Sequence, residues 1–284
     1  MAKELKNHPI LRINAPRAED IAAFRRDGFA VFSDVFTDEG LAGITDEILS
    51  LEAVVDYLDE SEEELGRLES TNRLRMKPWN DKGPWAERLF DAPLVTALLR
   101  AIVGDSFHFC HSTLHLSCPG AGAIAFHQDH HHWKHDNPVN LAERDTWYIQ
   151  MLYYPNGFKR GDTSLSVIPG SHRIEPTSNV TPETLLDGTH DDRAGRRLMA
   201  EDLELPPGSM VLLNARTFHA VAPKPLLSAQ AYRIFANYIF KAAGPPHLFT
   251  QAIPAEWMQR AGPERKKLFR RAPYSPGCWS RSSR

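Results

Sequence analysis

His127-Gln128-Asp129 sets an imidazole and a carboxylate two positions apart in the first half of the chain, and His219 and Arg233 follow far downstream. A His, a nearby carboxylate and a distant second His can hold one metal ion from a single side. The opposite positions stay open, which is the donor set of non-haem Fe(II) oxygenases, although Mn, Co, Ni or Zn could occupy it too. Arg233 offers a fixed cation for the far carboxylate of a dicarboxylate co-substrate. Asp129 also bears on reaction class, because losing its carboxylate would open a metal position to a halide.

Taken singly, these residues have plainer roles. His caps turns, Asp bonds nearby backbone, and an Arg on an alternating strand commonly faces solvent. Their joint order is the specific signal. His130, His131, His132 and His135 crowd the same region, but a tetrahedral zinc site would call for Cys or additional His ligands. The preferred ligands are therefore His127, Asp129 and His219, with Phe126, His131 and Trp133 expected to line or cover a substrate entrance. Arg216 and Lys224 are alternative cations to Arg233.

These side chains must be positioned by the surrounding elements. Arg17 to Asp27 reads as a helix stopped by Gly28, followed by a strand over Phe29 to Phe32. Thr37-Asp38-Glu39 opens one long amphipathic helix carrying Leu41, Ile44, Ile48, Leu51 and Val55, and Pro93 to Val103 is a further helix stopped by Gly104. From Ser106 the signals turn to β: 107–117, 123–127, 146–154, 164–168, 209–214 and 231–240 are short runs rich in β-branched and aromatic residues. Pro- and Gly-containing turns separate several of them. This pattern predicts one antiparallel β sandwich with helices on its N-terminal side. Residues i and i+2 of a strand share a face, so His127 and Asp129 can converge on one ion. Alternation over Tyr232 to Tyr238 can aim Arg233 inward, and Gln150 on the 146–154 run is a buried-polar candidate for the co-substrate or substrate. His115 and Ser117 are similar candidates.

Composition sets wider bounds. The 284 residues are 42% hydrophobic and 24% charged with a net charge of −3, which gives no reason to expect a nucleic-acid partner. The three cysteines, Cys110, Cys118 and Cys278, are too scattered for a disulfide framework. No apolar run suggests a membrane span or a secretory signal, so a cytoplasmic location is expected. An acidic stretch over 34–64 without Lys or Arg reads as solvated surface, and 265–271 is basic.

Arg26-Asp-Gly-Phe-Ala-Val-Phe32, Phe126-His-Gln-Asp129, Ser166-Val-Ile-Pro-Gly-Ser-His172, His219 and Arg233 together resemble the phytanoyl-CoA dioxygenase family of Fe(II)- and 2-oxoglutarate-dependent oxygenases. The resemblance spans most of the chain. It implies a mainly β fold with flanking α-helices, a double-stranded β-helix (jelly-roll, cupin-like) barrel with the metal at its mouth. On that reading 1–284 is a single domain, with 1–104 a mainly helical flank, 105–245 the jelly-roll core and 246–284 a C-terminal helix and basic tail. The resemblance also implies a role for Pro169-Gly-Ser-His172 as a structural turn. Its cofactors would be Fe(II) and 2-oxoglutarate, its partners O2 and a small-molecule substrate, and its products succinate, CO2 and an oxidised, most simply hydroxylated, substrate. Two departures are a slightly long interval from His219 to Arg233 and a Gly161-Asp162-Thr163 turn. The residues alone also admit a metal-dependent isomerase or hydrolase on a cupin-like barrel, or a non-catalytic jelly-roll binding protein. They do not select the substrate.

Overall fold

The computed structural model describes residues 9–63, 73–129, 148–174, 180–242, 251–253 and 255–269. Among the described residues, ten strands form two antiparallel sheets. They are β1 (Phe29–Phe32), β2 (Arg73–Met76), β3 (Phe107–Ser117), β4 (Ile124–His127), β5 (Tyr148–Tyr154), β6 (Leu165–Val167), β7 (Glu201–Asp202), β8 (Ser209–Asn214), β9 (His219–Val221) and β10 (Arg233–Ala242). The large sheet runs β1-β8-β5-β10-β3-β2 and the small one β4-β9-β6-β7. Leu152, Tyr154, Val211 and Leu213 of the large sheet pack with Leu165 and Val167 of the small one, closing the double-layered jelly roll.

Period-two alternation sorts the large sheet cleanly. Met151, Tyr153, Ile234, Ala236, Tyr238, Leu114 and Leu116 face the helices, in a core that also takes in Ile44, Ile48, Leu98 and Leu99. Phe90 is central there, 4.7 Å from Phe109 and 5.3 Å from Phe269 between ring centroids. The alternate residues, Gln150, Leu152, Tyr154, Arg233, Phe235 and Asn237, face the other sheet and line a cavity.

The helices α1 (Ala18–Asp27), α2 (Asp38–Leu49), α3 (Glu52–Glu63), α4 (Pro84–Phe90) and α5 (Pro93–Val103) cover the large sheet's outer side. The single long helix expected after Thr37 is two helices. Ser50 ends α2, with its hydroxyl donating to the Glu47 carbonyl, an alternative to helix continuation. The break turns the apolar stripe: Val54 is buried and Val55 is 42% exposed. Glu47 leaves the α2 face to accept backbone N–H bonds from Trp85 and Ala86 at the start of α4, where a carboxylate also suits the helix dipole. The N-terminal part also contributes β1 and β2 to the large sheet, so it is more than a helical flank. No helix among the described residues is long and apolar enough to cross a membrane.

Gly28 ends α1 at φ +83°, and a Cβ there would lie 2.3 Å from Thr217 Oγ1 and 2.5 Å from His172 Nδ1. Its carbonyl accepts from Asn214 N–H and Thr217 Oγ1–H. The close approach ties α1 to the chain that leads into β9. His172 is packed beneath this junction, and burial holds its imidazole down to about 4. The unfolded chain takes up that proton near pH 6.5 and the folded chain only near 4. This group therefore supports folding fully above about pH 6.5, and about 3 kcal/mol of that support is lost as pH falls toward 4. Urea unfolding of His172→Gln should show a smaller loss of stability over that pH window than wild type; parallel profiles would contradict the assignment.

Candidate metal centre

β4 and β9 are antiparallel neighbours, and their register sets His127 directly opposite His219. A register shift between Ile124 and His127 brings both residues to the cavity face. The imidazole centroids are 4.3 Å apart. Asp129 lies just past β4, where its N–H donates to the Ala215 carbonyl and the Gln128 amide donates to the Arg216 carbonyl. Those bonds pin the ligand segment to the loop preceding β9. His219 is further supported from the Pro-Gly-Ser-His turn: Ser171 Oγ accepts from Phe218 N–H, and Phe218 O accepts from Ile168 N–H. His172 itself is structural, as expected.

One ligand atom from each of His127, Asp129 and His219 lies within 4.8 Å of the others. His127 Nε2 is 3.6 Å from Asp129 Oδ1, and His219 Nε2 is 3.3 Å from Asp129 Oδ2. The opposite ring nitrogens are both engaged by backbone: His127 Nδ1 with Ala125 O at 2.8 Å, His219 Nδ1 with Thr217 O at 2.9 Å. A neutral imidazole that donates from Nδ1 presents the Nε2 lone pair, the arrangement that prepares His for metal ligation. Burial opposes the charge on Asp129, but the two flanking imidazoles outweigh it and hold the carboxylate well below its usual range. Burial also disfavours protonation of His127; hydrogen bonding to Asp129 outweighs it and raises that imidazole. The residues present thus fit a divalent ion.

Gln150 donates to Asp129 Oδ2, and Asn237 Nδ2 donates to Gln150 Oε1 at 2.6 Å. The two buried amides form a relay across β5 and β10 that fixes the carboxylate. Gln150 therefore does line the cavity, but its visible partner is the metal-facing carboxylate. Such outer partners typically govern ~10- to 100-fold in metal affinity. Gln150→Leu should weaken iron binding by about that factor in a metal titration; an unchanged affinity would show that Asp129 is held by other means.

The cavity between the sheets has a volume of about 390 Å³. Arg233 lines it and is 2% exposed, with Tyr154 and Phe235 rings 5.6 and 5.5 Å from the guanidinium carbon. Burial lowers its pKa, and among the described residues no carboxylate lies within ion-pair distance. Arg233 Nε, Arg73 Nη1 and Ser117 Oγ are all buried without hydrogen-bond partners. Arg73 and Arg233 each stand opposite Ser117 in the sheet register, so the three occupy one row. A buried cation among unsatisfied donors calls for an anion. 2-Oxoglutarate, whose far carboxylate can accept from several donors at once, fits that demand.

The alternative cations lie away from the cavity. Lys224 Nζ is buried against Asp162 Oδ1 at 2.8 Å, and Arg216 donates to the Ile174 carbonyl; neither lines the cavity. Phe126 is a correction. It packs against the cluster of Ile168, Ile174, Leu185 and Phe218 rather than lining the cavity. The reason is alternation: with His127 facing in, its strand neighbour faces away. His131 and Trp133 lie outside the described residues. His115 lines the cavity, as anticipated, while Arg73, Arg75 and Lys77 line it without having been anticipated.

The phytanoyl-CoA dioxygenase family model matches residues 24–224, and the chain belongs to that family. It is a non-haem iron enzyme dependent on 2-oxoglutarate. EctD from S. alaskensis in its apoform is 22% identical, with a TM-score of 0.62 and coverage of 88% of each chain. The non-heme alpha ketoglutarate dependent carbocyclase SnoK from nogalamycin biosynthesis is 13% identical, with a TM-score of 0.58 and coverage of 96% of this chain and 98% of that one. HygX from Streptomyces hygroscopicus, crystallised with nickel and 2-oxoglutarate, is 15% identical, with a TM-score of 0.57 and coverage of 87% of this chain and 95% of that one. At these identities the likeness speaks for the fold. No curated protein sequence matches the chain.

Proposed function

We propose that the enzyme hydroxylates a small molecule, with release of succinate and CO2. His127, Asp129 and His219 hold Fe(II) from one side. Arg233, helped by Ser117 and Arg73, binds the far carboxylate of 2-oxoglutarate. The observation that carries this reading is the pair of cross-strand imidazoles with both Nε2 atoms turned to one carboxylate, beside a buried guanidinium with no carboxylate partner among the described residues. When bound, iron and 2-oxoglutarate supply the oxidising power for C–H cleavage.

The protein's own contribution is orientation and shelter. Three ligands on one side would leave a bound ion accessible to co-substrate and O2. Gln150 and Asn237 keep Asp129 from rotating, and Gln150 is also near enough to the ligand set to contact 2-oxoglutarate. Leu152, Leu165, Val221, Phe235 and Ile239 give the cavity apolar walls that exclude water from the reacting centre. Because Asp129 supplies a protein carboxylate, that position is closed to a halide, which favours hydroxylation over halogenation. His131 and Trp133 are retained as substrate-facing residues; unchanged kinetics in both His131→Ala and Trp133→Ala would remove them. Cys110 and Cys118 are buried thiols, in keeping with a reducing cytoplasm.

The test begins anaerobically. Fe(II) and 2-oxoglutarate together should give the weak visible band of a chelated keto acid. Admitting O2 with a panel of small molecules should then give succinate and a product that has gained one oxygen atom, read by mass spectrometry. A product lacking two hydrogens would replace hydroxylation with desaturation. No band in protein that demonstrably holds iron would reject the reading and favour isomerase or hydrolase chemistry.

A further inference from the structure

The charges that line the cavity exceed what iron and 2-oxoglutarate need. Arg73, Arg75, Lys77 and Arg233 stand around it with one carboxylate, Asp129. A ferrous ion and the dianion of 2-oxoglutarate cancel each other, so a surplus of positive charge remains among the described residues. Its location is specific. Leu74 and Met76 pack against the core on the helix side, so alternation along β2 forces Arg73 and Arg75 to the cavity side, and Lys77 follows there. Arg73 shares the row of Ser117 and Arg233, whereas Arg75 stands one step further along, opposite His115, with Phe235 next in the same row. Arg75 and Lys77 are both exposed, and neither has an ion-pair partner among the described residues. Desolvation against the cavity wall and the neighbouring Arg75 bring Lys77 down to about 8, partly offset by Asp129.

Resting on the oxygenase reading above, we propose that the substrate is itself an anion, a small carboxylic acid whose carboxylate is held by Arg75 and Lys77 while its apolar part lies along Phe235, Ile124 and Ile239. This anchor is separate from the one that holds 2-oxoglutarate. It places the substrate's charged end at β2 and the adjoining C–H bonds beside the ligand triad. Edge strands also carry inward charges simply to prevent unwanted strand pairing, and β2 is an edge. Edge protection requires no ligand, so binding separates the two explanations.

The experiment uses protein loaded with Ni(II) and saturating 2-oxoglutarate, so that acids cannot simply occupy the co-substrate site. Matched probes, phenylacetate against phenylacetamide and hexanoate against hexanamide, are titrated by ligand-observed NMR. Wild type should bind the acids at least ~10-fold more tightly than the amides, the scale of charge-assisted hydrogen bonding. Arg75→Gln/Lys77→Gln should abolish that preference while still giving the Fe(II)–2-oxoglutarate band. Acids bound no more tightly than amides, including no binding of either, would overturn the proposal, as would a preference that survives in the double variant. Loss of the band in wild-type protein would instead defeat the underlying oxygenase reading.

Discussion

His219→Ala protein is expected to fold, to lose iron on desalting and to turn over at least ~1000-fold more slowly than wild type. The reasoning starts from coordination. Partners one bond removed from a metal ligand already govern ~10- to 100-fold in affinity, and removing one of the three proposed protein ligands should exceed that. His219 is buried at the start of β9, with its ring against His127 and its Nδ1 engaged by Thr217 O. Among the described residues no other His or carboxylate joins this ligand cluster, so none of them offers a substitute donor. Iron content after desalting, circular dichroism and succinate formation together check the prediction. Retention of iron with normal turnover would remove His219 from the ligand set.

Arg233→Gln should produce a different failure. Loss of a buried, charge-assisted contact to the far carboxylate of 2-oxoglutarate should raise the KM for that co-substrate ~100-fold, about 2.7 kcal/mol. Iron affinity should stay close to wild type, because Arg233 faces the cavity from β10 and the proposed ligands come from β4, β9 and the segment just past β4. The protein should tolerate the change, since it removes an uncompensated buried charge. Succinate release at varied 2-oxoglutarate, with a parallel iron titration, separates the two effects. An unchanged KM would assign the co-substrate anchor to Arg73, the neighbouring cation.

The local pattern around His127 and Asp129 was legible because two residues two positions apart on an extended chain point the same way. The third proposed ligand was legible only in outline. His219 opens its own three-residue strand, and nothing in that short segment encodes its pairing with β4; the register is set by packing between distant parts of the chain. Gln150 could have faced either way until the alternation of β5 was fixed by Met151 and Tyr153 packing on the helices. Phe126 was misassigned although the same alternation argues against it, since a strand neighbour of an inward His points outward. Arg73 and Arg75 were missed for another reason. Arg73-Leu-Arg-Met76 is four residues long and half charged, so it reads as surface until Leu74 and Met76 are seen to pack inward on the helix side. The break between α2 and α3 escaped notice because the apolar spacing continues through Ser50, while the hydroxyl that competes for the Glu47 carbonyl leaves no mark on that spacing.

The most direct measurement is an anaerobic crystal structure with Fe(II) and 2-oxoglutarate. The expected result is a single ion bonded to Nε2 of His127, an oxygen of Asp129 and Nε2 of His219, with the keto acid chelating it and its far carboxylate on Arg233. An ion bound through the neighbouring histidines of 130–135 instead, with His219 turned away, would contradict the account.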